Sequence, residues 1–171
     1  MNQRGFTIVE LIITITIMGI LMVLAVVNVS SSQMRTRDDE RLADVQTIAL
    51  HLETYYKSGI DTSTQVNRYP TTDLVSSLAK MKAALRDADE KSFKAPGVTN
   101  ATSTFKAATN NDQTVGGVAP QPTINQYVYQ PLLSSGSLCT GTTETEDCRK
   151  FNLFYRTETD NAVHKITSKN Q

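Results

Sequence analysis

The sequence has no surplus of charge of either sign. Its 171 residues include 17 lysines and arginines and 17 aspartates and glutamates, so the formal net charge at pH 7 is 0. This balance argues against a nucleic-acid-binding protein that works through a broad basic face. The length allows one modest domain with additional segments rather than two complete domains.

Histidine is scarce, which limits the chemistry available to the chain. His51 lies in a predicted helix and His164 in a predicted strand, and neither has a nucleophile pattern nearby. The sequence contains no glycine-rich phosphate loop and no metal-ligand spacing. We therefore predict a protein that is not an enzyme, has no metal site or cofactor, and binds no nucleic acid through a clear motif.

The chain has two cysteines, Cys139 and Cys148, which lie close together near the C-terminus. In an exported chain such a pair predicts a short loop closed by a disulfide. Closing a loop of about ten residues stabilises a fold by roughly 2–3 kcal/mol in the chain-entropy account. Two unpaired thiols are the alternative, whereas zinc is disfavoured because no histidine or second cysteine pair lies nearby.

Charge is almost absent from residues 6–29, where Glu10 is the single charged residue. As a helix this segment would extend about 36 Å, which is enough to cross a hydrocarbon layer of about 30 Å. A helix is favoured over a strand because lipid offers the backbone no hydrogen-bond partners. Arg4 and the amino terminus make the leader positive, which predicts a cytoplasmic leader and an exported C-terminal part.

Proline and glycine are both absent between Ile20 and Ser58, so nothing in this stretch stops a helix. After a polar run at residues 35–41, RTRDDER, apolar residues recur at steps of three and four, which indicates an amphipathic helix. We predict one helix from about Phe6 to Tyr56, with its first half in lipid. The predicted apolar stripe of the second half consists of Leu42, Val45, Ile48, Ala49, Leu52, Tyr55 and Tyr56.

The segment RGFTIVELIITITIMGIL at residues 4–21 resembles the type IV prepilin signature, in which a basic residue, a glycine and Phe-Thr-x-x-Glu open an apolar helix. The resemblance implies a type IV pilin or pseudopilin. It also implies that a membrane prepilin peptidase cuts between Gly5 and Phe6 and methylates the new amine of Phe6. Ordinary signal cleavage at Ser30–Ser32 is the alternative, and the long apolar run and the continuing helical pattern count against it.

The resemblance also gives Glu10 a role. In the family this carboxylate pairs with the Phe6 amine of a neighbouring subunit, which sets the axial register and helps to draw subunits out of the membrane. A carboxylate at the centre of a membrane helix costs about 2.5–3.5 kcal/mol, and the positive end of the helix dipole offsets part of this. A snorkelling carboxylate without a partner is the alternative. The chain departs from many members of the family in having no proline near Val27.

The polar remainder of the chain predicts a small head. Helix-start residues at 70–73 precede apolar residues at helical spacing from Leu74 to Leu85, which predicts a short amphipathic helix. Residues 92–123 predict a loop with one strand. Alternating patterns predict three antiparallel strands at residues 124–133, 150–159 and 162–168, with a turn at residues 159–162. We expect the apolar face of this sheet to cover the apolar stripe of the helix.

Three carboxylates crowd residues 143–147, TETED, in the loop between the two cysteines. Some pseudopilins hold calcium near their sheet, so a Ca²⁺ site is one hypothesis for this loop. A solvated acidic loop is favoured, because the regular oxygen-ligand spacing of a calcium loop is missing.

These features predict an α+β protein with a long N-terminal helix packed on a small antiparallel sheet. Its predicted parts are a leader (1–5), a transmembrane and assembly half of the helix (6–29), an amphipathic half (30–57) and a head (58–171). The resemblance implies a structural subunit of a type IV pilus-like surface filament used for adhesion, twitching motility or DNA uptake. Before assembly it would cross the cytoplasmic membrane once, with its C-terminus outside.

The implied partners are identical or related pilin subunits, the prepilin peptidase, the inner-membrane assembly platform and, for the monomer, the membrane itself. Two other functions stay open at this point. One is a pseudopilin of a type II secretion or competence system. The other is a membrane-anchored exported domain that binds a ligand and does not polymerise.

Overall fold

The computed structural model describes residues 5–59, 66–99, 104–141 and 147–170, with the backbone alone for residues 27 and 28. Residues 1–4 of the predicted leader and residues 143–146 of the acidic stretch lie outside the described residues. The helices are α1 (Ile8–Ser58) and α2 (Leu78–Ala84), with 3₁₀ turns at Thr72–Ser76 and Glu90–Phe93. The strands are β1 (Phe105–Ala107), β2 (Tyr127–Leu133), β3 (Cys148–Arg156) and β4 (Val163–Thr167).

Helix α1 is uninterrupted, which confirms the prediction of one long helix. It begins after Thr7 and ends at Ser58. Gly59 then adopts a φ of 66°, and its N–H donates a hydrogen bond of 2.7 Å to the carbonyl of Tyr55. Glycine suits this position because positive φ is strained for residues that carry a Cβ. At 1.5 Å per residue the helix is about 75 Å long.

The four strands form one sheet in the order β1-β2-β3-β4. Strands β2, β3 and β4 are antiparallel neighbours, as the sequence predicts, with the β3–β4 connection at residues 157–162. Strand β1 lies parallel to β2 and is the one strand expected within residues 92–123. The sheet is therefore mixed, although its three longer strands are antiparallel.

The main core lies between the second half of α1 and one face of the sheet. Val45, Ile48 and Leu52 of the predicted stripe are almost fully buried. The prediction was wrong for Leu42, which is 37% exposed, whereas its neighbour Arg41 is only 1% exposed. Arg41 is buried because carboxylates and a carbonyl surround its guanidinium, a pattern that local hydrophobicity does not encode. The sheet contributes Tyr127, Tyr129, Phe151, Leu153 and Tyr155 to this core.

The other face of the sheet is also covered, which the sequence did not predict. Residues 108–123, called the covering loop below, lie across it, and Val118 packs with Val128 and Phe154 in a second, smaller core. Gln130 fastens the loop by donating hydrogen bonds of 2.9 Å to the carbonyls of both Asn110 and Asp112. Both faces of β2 are therefore buried, because each packs against a different part of the chain.

The predicted amphipathic helix after residue 70 is divided in two. A 3₁₀ turn at Thr72–Ser76 precedes α2, and the extended backbone of Ser77 separates them. Ser77 acts as the N-cap of α2, since its hydroxyl accepts a hydrogen bond of 3.3 Å from the Lys80 N–H. Three of the predicted apolar positions, Leu74, Met81 and Leu85, are nevertheless buried.

Candidate functional site

The first half of α1 stands clear of the head. Every large apolar side chain described between Phe6 and Val29 is more than half exposed, and Phe6 is 91% exposed. The same segment is long and apolar enough to cross a membrane. An exposed apolar surface of this extent in a folded chain marks a contact with lipid or with other protein.

Two threonine hydroxyls in this segment are satisfied within the helix itself. The hydroxyl of Thr14 donates a hydrogen bond of 2.8 Å to the carbonyl of Leu11, and that of Thr16 donates one of 2.8 Å to the carbonyl of Ile12. These hydroxyls therefore add little to the cost of placing the helix in an apolar environment, where an unpaired polar group is expensive.

Thr7 and Glu10 form a capping box at the start of α1. The hydroxyl oxygen of Thr7 accepts a hydrogen bond of 3.2 Å from the Glu10 N–H. In return Oε2 of Glu10 accepts bonds from the N–H of Thr7, at 3.1 Å, and from its hydroxyl, at 3.0 Å. The arrangement satisfies backbone donors that every helix leaves free at its N-terminus, and it places a negative charge at the positive end of the dipole.

The capping box leaves one oxygen of Glu10 available. Both bonds from Thr7 go to Oε2, and among the described residues Oε1 has no hydrogen bond. The Glu10 side chain is exposed, so a cation from outside the described residues can approach Oε1. Thr7 and Glu10 both follow the predicted cut between Gly5 and Phe6, so removal of the leader would keep this helix start intact.

Sequence reasoning missed the part played by Thr7, although the signal was present. A threonine followed three positions later by glutamate, directly before an apolar run, is the sequence pattern of a capping box. The predicted site residues Gly5, Phe6 and Glu10 lie at one end of the molecule. The two cysteines lie at the end of the head that is far from Glu10.

Cys139 and Cys148 form a disulfide, with their Cα atoms 5.9 Å apart. Both side chains are fully buried. Their carbonyl oxygens accept hydrogen bonds from a neighbouring segment, at 3.0 Å from the Thr72 N–H and at 2.8 Å from the Tyr69 N–H. The disulfide therefore fixes the end of the sheet at which α1 terminates.

No metal centre is visible in the part of the chain that the structure describes. Within residues 5–59, 66–99, 104–141 and 147–170, no three His, Cys, Asp or Glu side chains are grouped so that they could hold an ion. The hypothesis of calcium in the acidic loop concerns residues 143–147, of which only Asp147 is described.

Comparison with known families identifies the N-terminal segment. Residues 1–26 match the family model described as the prokaryotic N-terminal methylation motif. No curated protein and no solved structure gives a significant match to the chain. The motif supports the type IV pilin-type prepilin signature that the sequence suggested, and with it a type IV pilin-like or pseudopilin subunit.

Proposed function

We propose that this chain is a structural subunit of a type IV pilus-like surface filament, assembled through the first half of α1. The observation that carries the proposal is Glu10, whose Oε1 has no hydrogen bond among the described residues and which lies in the half of α1 whose described large apolar side chains are all exposed. Adhesion, twitching motility and DNA uptake are the activities such a filament serves in the family.

The first step is processing. The match to the methylation motif supports cleavage by a prepilin peptidase between Gly5 and Phe6, followed by methylation of the Phe6 amine. The mature chain then begins one residue before the capping threonine, so its new cation lies next to the helix N-terminus. Before assembly the chain would cross the cytoplasmic membrane once, with the head outside.

Assembly requires a new environment for the apolar half of α1. Fully burying a Val, Leu or Ile side chain is worth roughly 1.5–3 kcal/mol, so a helix with so many of them stays in lipid unless something equally apolar replaces it. Other copies of the same helix provide that surface. The open Oε1 of Glu10 would accept the Phe6 ammonium of an adjacent copy, which fixes the axial register between the two.

The experiment compares Glu10→Gln with Asp39→Asn in the full chain. Both changes remove one carboxylate of α1, and Asp39 is an exposed residue on the second half of the helix. Glu10→Gln should be cleaved before Phe6 as usual, because the cut bond lies upstream. It should accumulate in the membrane with few filaments, because an unpaired Phe6 cation at a buried contact can cost about 3–5 kcal/mol. Asp39→Asn should assemble normally.

Electron microscopy of sheared surface material, with mass spectrometry of the N-terminus, gives the result. Normal filament yield from Glu10→Gln as the only copy in the cell would refute the pairing. Mature protein that starts at Met1, or after Ser30–Ser32, would refute the prepilin processing. Short filaments seen only with a secretion system would identify a pseudopilin instead. A processed chain that never enters a filament would favour a membrane-anchored binding domain.

A further inference from the structure

Four charged residues join α1 to the head at the end nearest the membrane half, and we call them the clamp: Arg37, Asp38, Arg41 and Glu158. Arg37 makes a two-pronged contact with Glu158, at 2.8 Å from Nε to Oε2 and 2.6 Å from Nη2 to Oε1. Arg41 bonds to Asp38 at 2.7 Å and to Glu158 at 3.3 Å. Its Nε also donates a bond of 2.9 Å to the carbonyl of Ile124.

Asp38 completes the clamp by holding the β3–β4 connection. Its carboxylate accepts hydrogen bonds from the N–H of Glu158 at 2.7 Å, from the N–H of Thr159 at 2.9 Å and from the Thr159 hydroxyl at 2.6 Å. Three residues on one face of α1 therefore bond to two separate connections of the head, the one before β2 and the one between β3 and β4. This geometry resists rotation of the helix in more than one direction.

The two carboxylates of the clamp stay charged over the physiological pH range. Burial alone would raise the pKa of Asp38, but the hydrogen bonds from Thr159, the Glu158 backbone and Arg41 outweigh it and lower that pKa. The hydrogen bonds from Arg37 lower the pKa of Glu158. The guanidinium of Arg41 is almost fully buried between these two carboxylates, so removing one of them would leave the clamp with an excess positive charge at a buried group.

The clamp lies far from Glu10 along α1, so a small change in the helix angle at the clamp displaces Glu10 by a large distance. The helix rises about 1.5 Å per residue, so Glu10 lies about 40 Å below Arg37 along α1. A rotation of about 10° at the clamp would move Glu10 sideways by roughly 7 Å over that distance. An ammonium–carboxylate bond is about 2.8 Å long, so an error of that size would break it.

We infer that Arg41, held by Asp38 and Glu158, is a positioning residue that fixes the angle between α1 and the head. This role of Arg41 rests on the proposed function. A subunit must bring Glu10 to its partner while its head meets the neighbouring heads, and both contacts form together only when the angle between helix and head is constant.

The test measures that angle in the full-length protein in detergent micelles. Spin labels at Met22→Cys in the apolar half of α1 and Ser135→Cys on the head, both exposed positions, report one distance by pulsed electron paramagnetic resonance. Arg41→Lys keeps the positive charge, but a lysine cannot bond to Asp38, Glu158 and the Ile124 carbonyl at the same time. Arg37→Gln is a milder second variant, because the Arg37 side chain is 34% exposed and its removal leaves the buried part of the clamp in place.

Glu53→Gln is the matched control. Glu53 is a buried carboxylate on the same helix, 8% exposed, at the opposite end of the contact with the head. It accepts hydrogen bonds from the Tyr69 hydroxyl at 2.9 Å and from the Lys169 N–H at 2.8 Å. Its substitution should lower the melting temperature of the head without changing the angle at the clamp.

We expect one narrow distance distribution for the wild type and for Glu53→Gln. Arg41→Lys should lose the narrow peak and Arg37→Gln should broaden it, at a temperature where circular dichroism shows all variants folded. Filament yield should be lost with Arg41→Lys and retained with Glu53→Gln. A narrow peak in Arg41→Lys would overturn the inference, and so would normal filament yield from a variant whose peak is broad. If the wild type forms no filaments, the proposed function fails, and the distance distributions alone decide whether the clamp sets the angle.

Discussion

Replacing Gln130 by leucine should release the covering loop from the sheet and destabilise the head by about 3–4 kcal/mol. The Gln130 side chain is fully buried in β2. Its amide donates hydrogen bonds of 2.9 Å to the carbonyls of Asn110 and Asp112, and its oxygen accepts one of 2.9 Å from the amide of Asn152. Leucine fills a similar volume but can make none of these bonds.

The magnitude follows from the groups left unpaired. A buried polar group without a partner costs about 1–3 kcal/mol. The amide of Asn152, a residue only 3% exposed, cannot reach water and should bear a cost in the middle of that range. The carbonyls of Asn110 and Asp112 belong to the covering loop, which can move toward solvent, so each should cost about 1 kcal/mol.

Gln121 provides the matched control within the same loop. Its amide also donates to several carbonyls, at 3.3 Å to Val115, 3.1 Å to Gly116 and 2.9 Å to Val118, but the residue is exposed. Water can replace all of these bonds, so Gln121→Leu should change the stability by about 0.5 kcal/mol or less.

The assay is urea unfolding of a fragment that begins near residue 30. We expect this fragment to be a soluble folded monomer, because none of the described residues before Val45 belongs to a buried core cluster. Hydrogen exchange of the covering loop should also accelerate in Gln130→Leu while α1 stays protected. Equal losses in the two glutamine variants, or a loss below about 1 kcal/mol for Gln130→Leu, would refute the argument that burial makes this side chain important.

Two further predictions concern the head. Burial raises the pKa of Asp44, which accepts a hydrogen bond of 3.2 Å from the Tyr127 hydroxyl, to about 6. The folded pKa lies above the ordinary value of 3.8, so ionisation of Asp44 destabilises the fold, and stability is lost as the pH rises through 6. After allowance for solvent screening, Asp44→Asn should be more stable by about 1 kcal/mol above this pH and equal near pH 4 in urea unfolding; the same difference at every pH would contradict this. Cys139→Ser should lower stability by roughly 2–3 kcal/mol, and mass spectrometry of unreduced peptides from the exported protein should find Cys139 linked to Cys148, whereas two free thiols would contradict the bond.

Much of the architecture could be predicted because the relevant information is local. The steps of three and four from Val45 to Tyr55 identify a helix wherever it packs, and the alternation in β2–β4 identifies strands. The prepilin signature is also local, since it lies within residues 4–21. These features were predicted correctly without knowledge of any contact in the tertiary structure.

The misassignments have the opposite origin. Arg41 stands in the run RTRDDER, which reads as a solvated surface, and its burial depends on Glu158, 117 positions later in the chain. The sequence likewise gives no local sign that Gln130 is buried, because its burial depends on the covering loop that supplies the carbonyls it binds. In both cases a distant partner changes the environment of a polar side chain, so local hydrophobicity gives the wrong answer.

The two glycines of the covering loop also show what the sequence alone cannot predict about the backbone. A Cβ added to Gly117 would collide with the carboxylate of Asp112. That carboxylate is held in place by the N–H and hydroxyl of Thr114, at 2.9 and 2.7 Å. The sequence marks a loop here by its two adjacent glycines, but which of them lacks room for a side chain depends on how the loop folds.

The two halves of α1 differ in what covers them, and this difference suits a subunit that changes its surroundings. The core of the head closes around Val45, Ile48 and Leu52 and uses none of the described side chains of residues 6–29. Transfer of the apolar half from lipid into a filament would therefore leave the packing of the head unchanged. The contact between α1 and the head must then meet one requirement, which is to keep the direction of the helix fixed. Polar contacts suit it better than an extended apolar interface, because bonds from Arg37, Asp38 and Arg41 are directional and do not compete with the membrane for apolar surface.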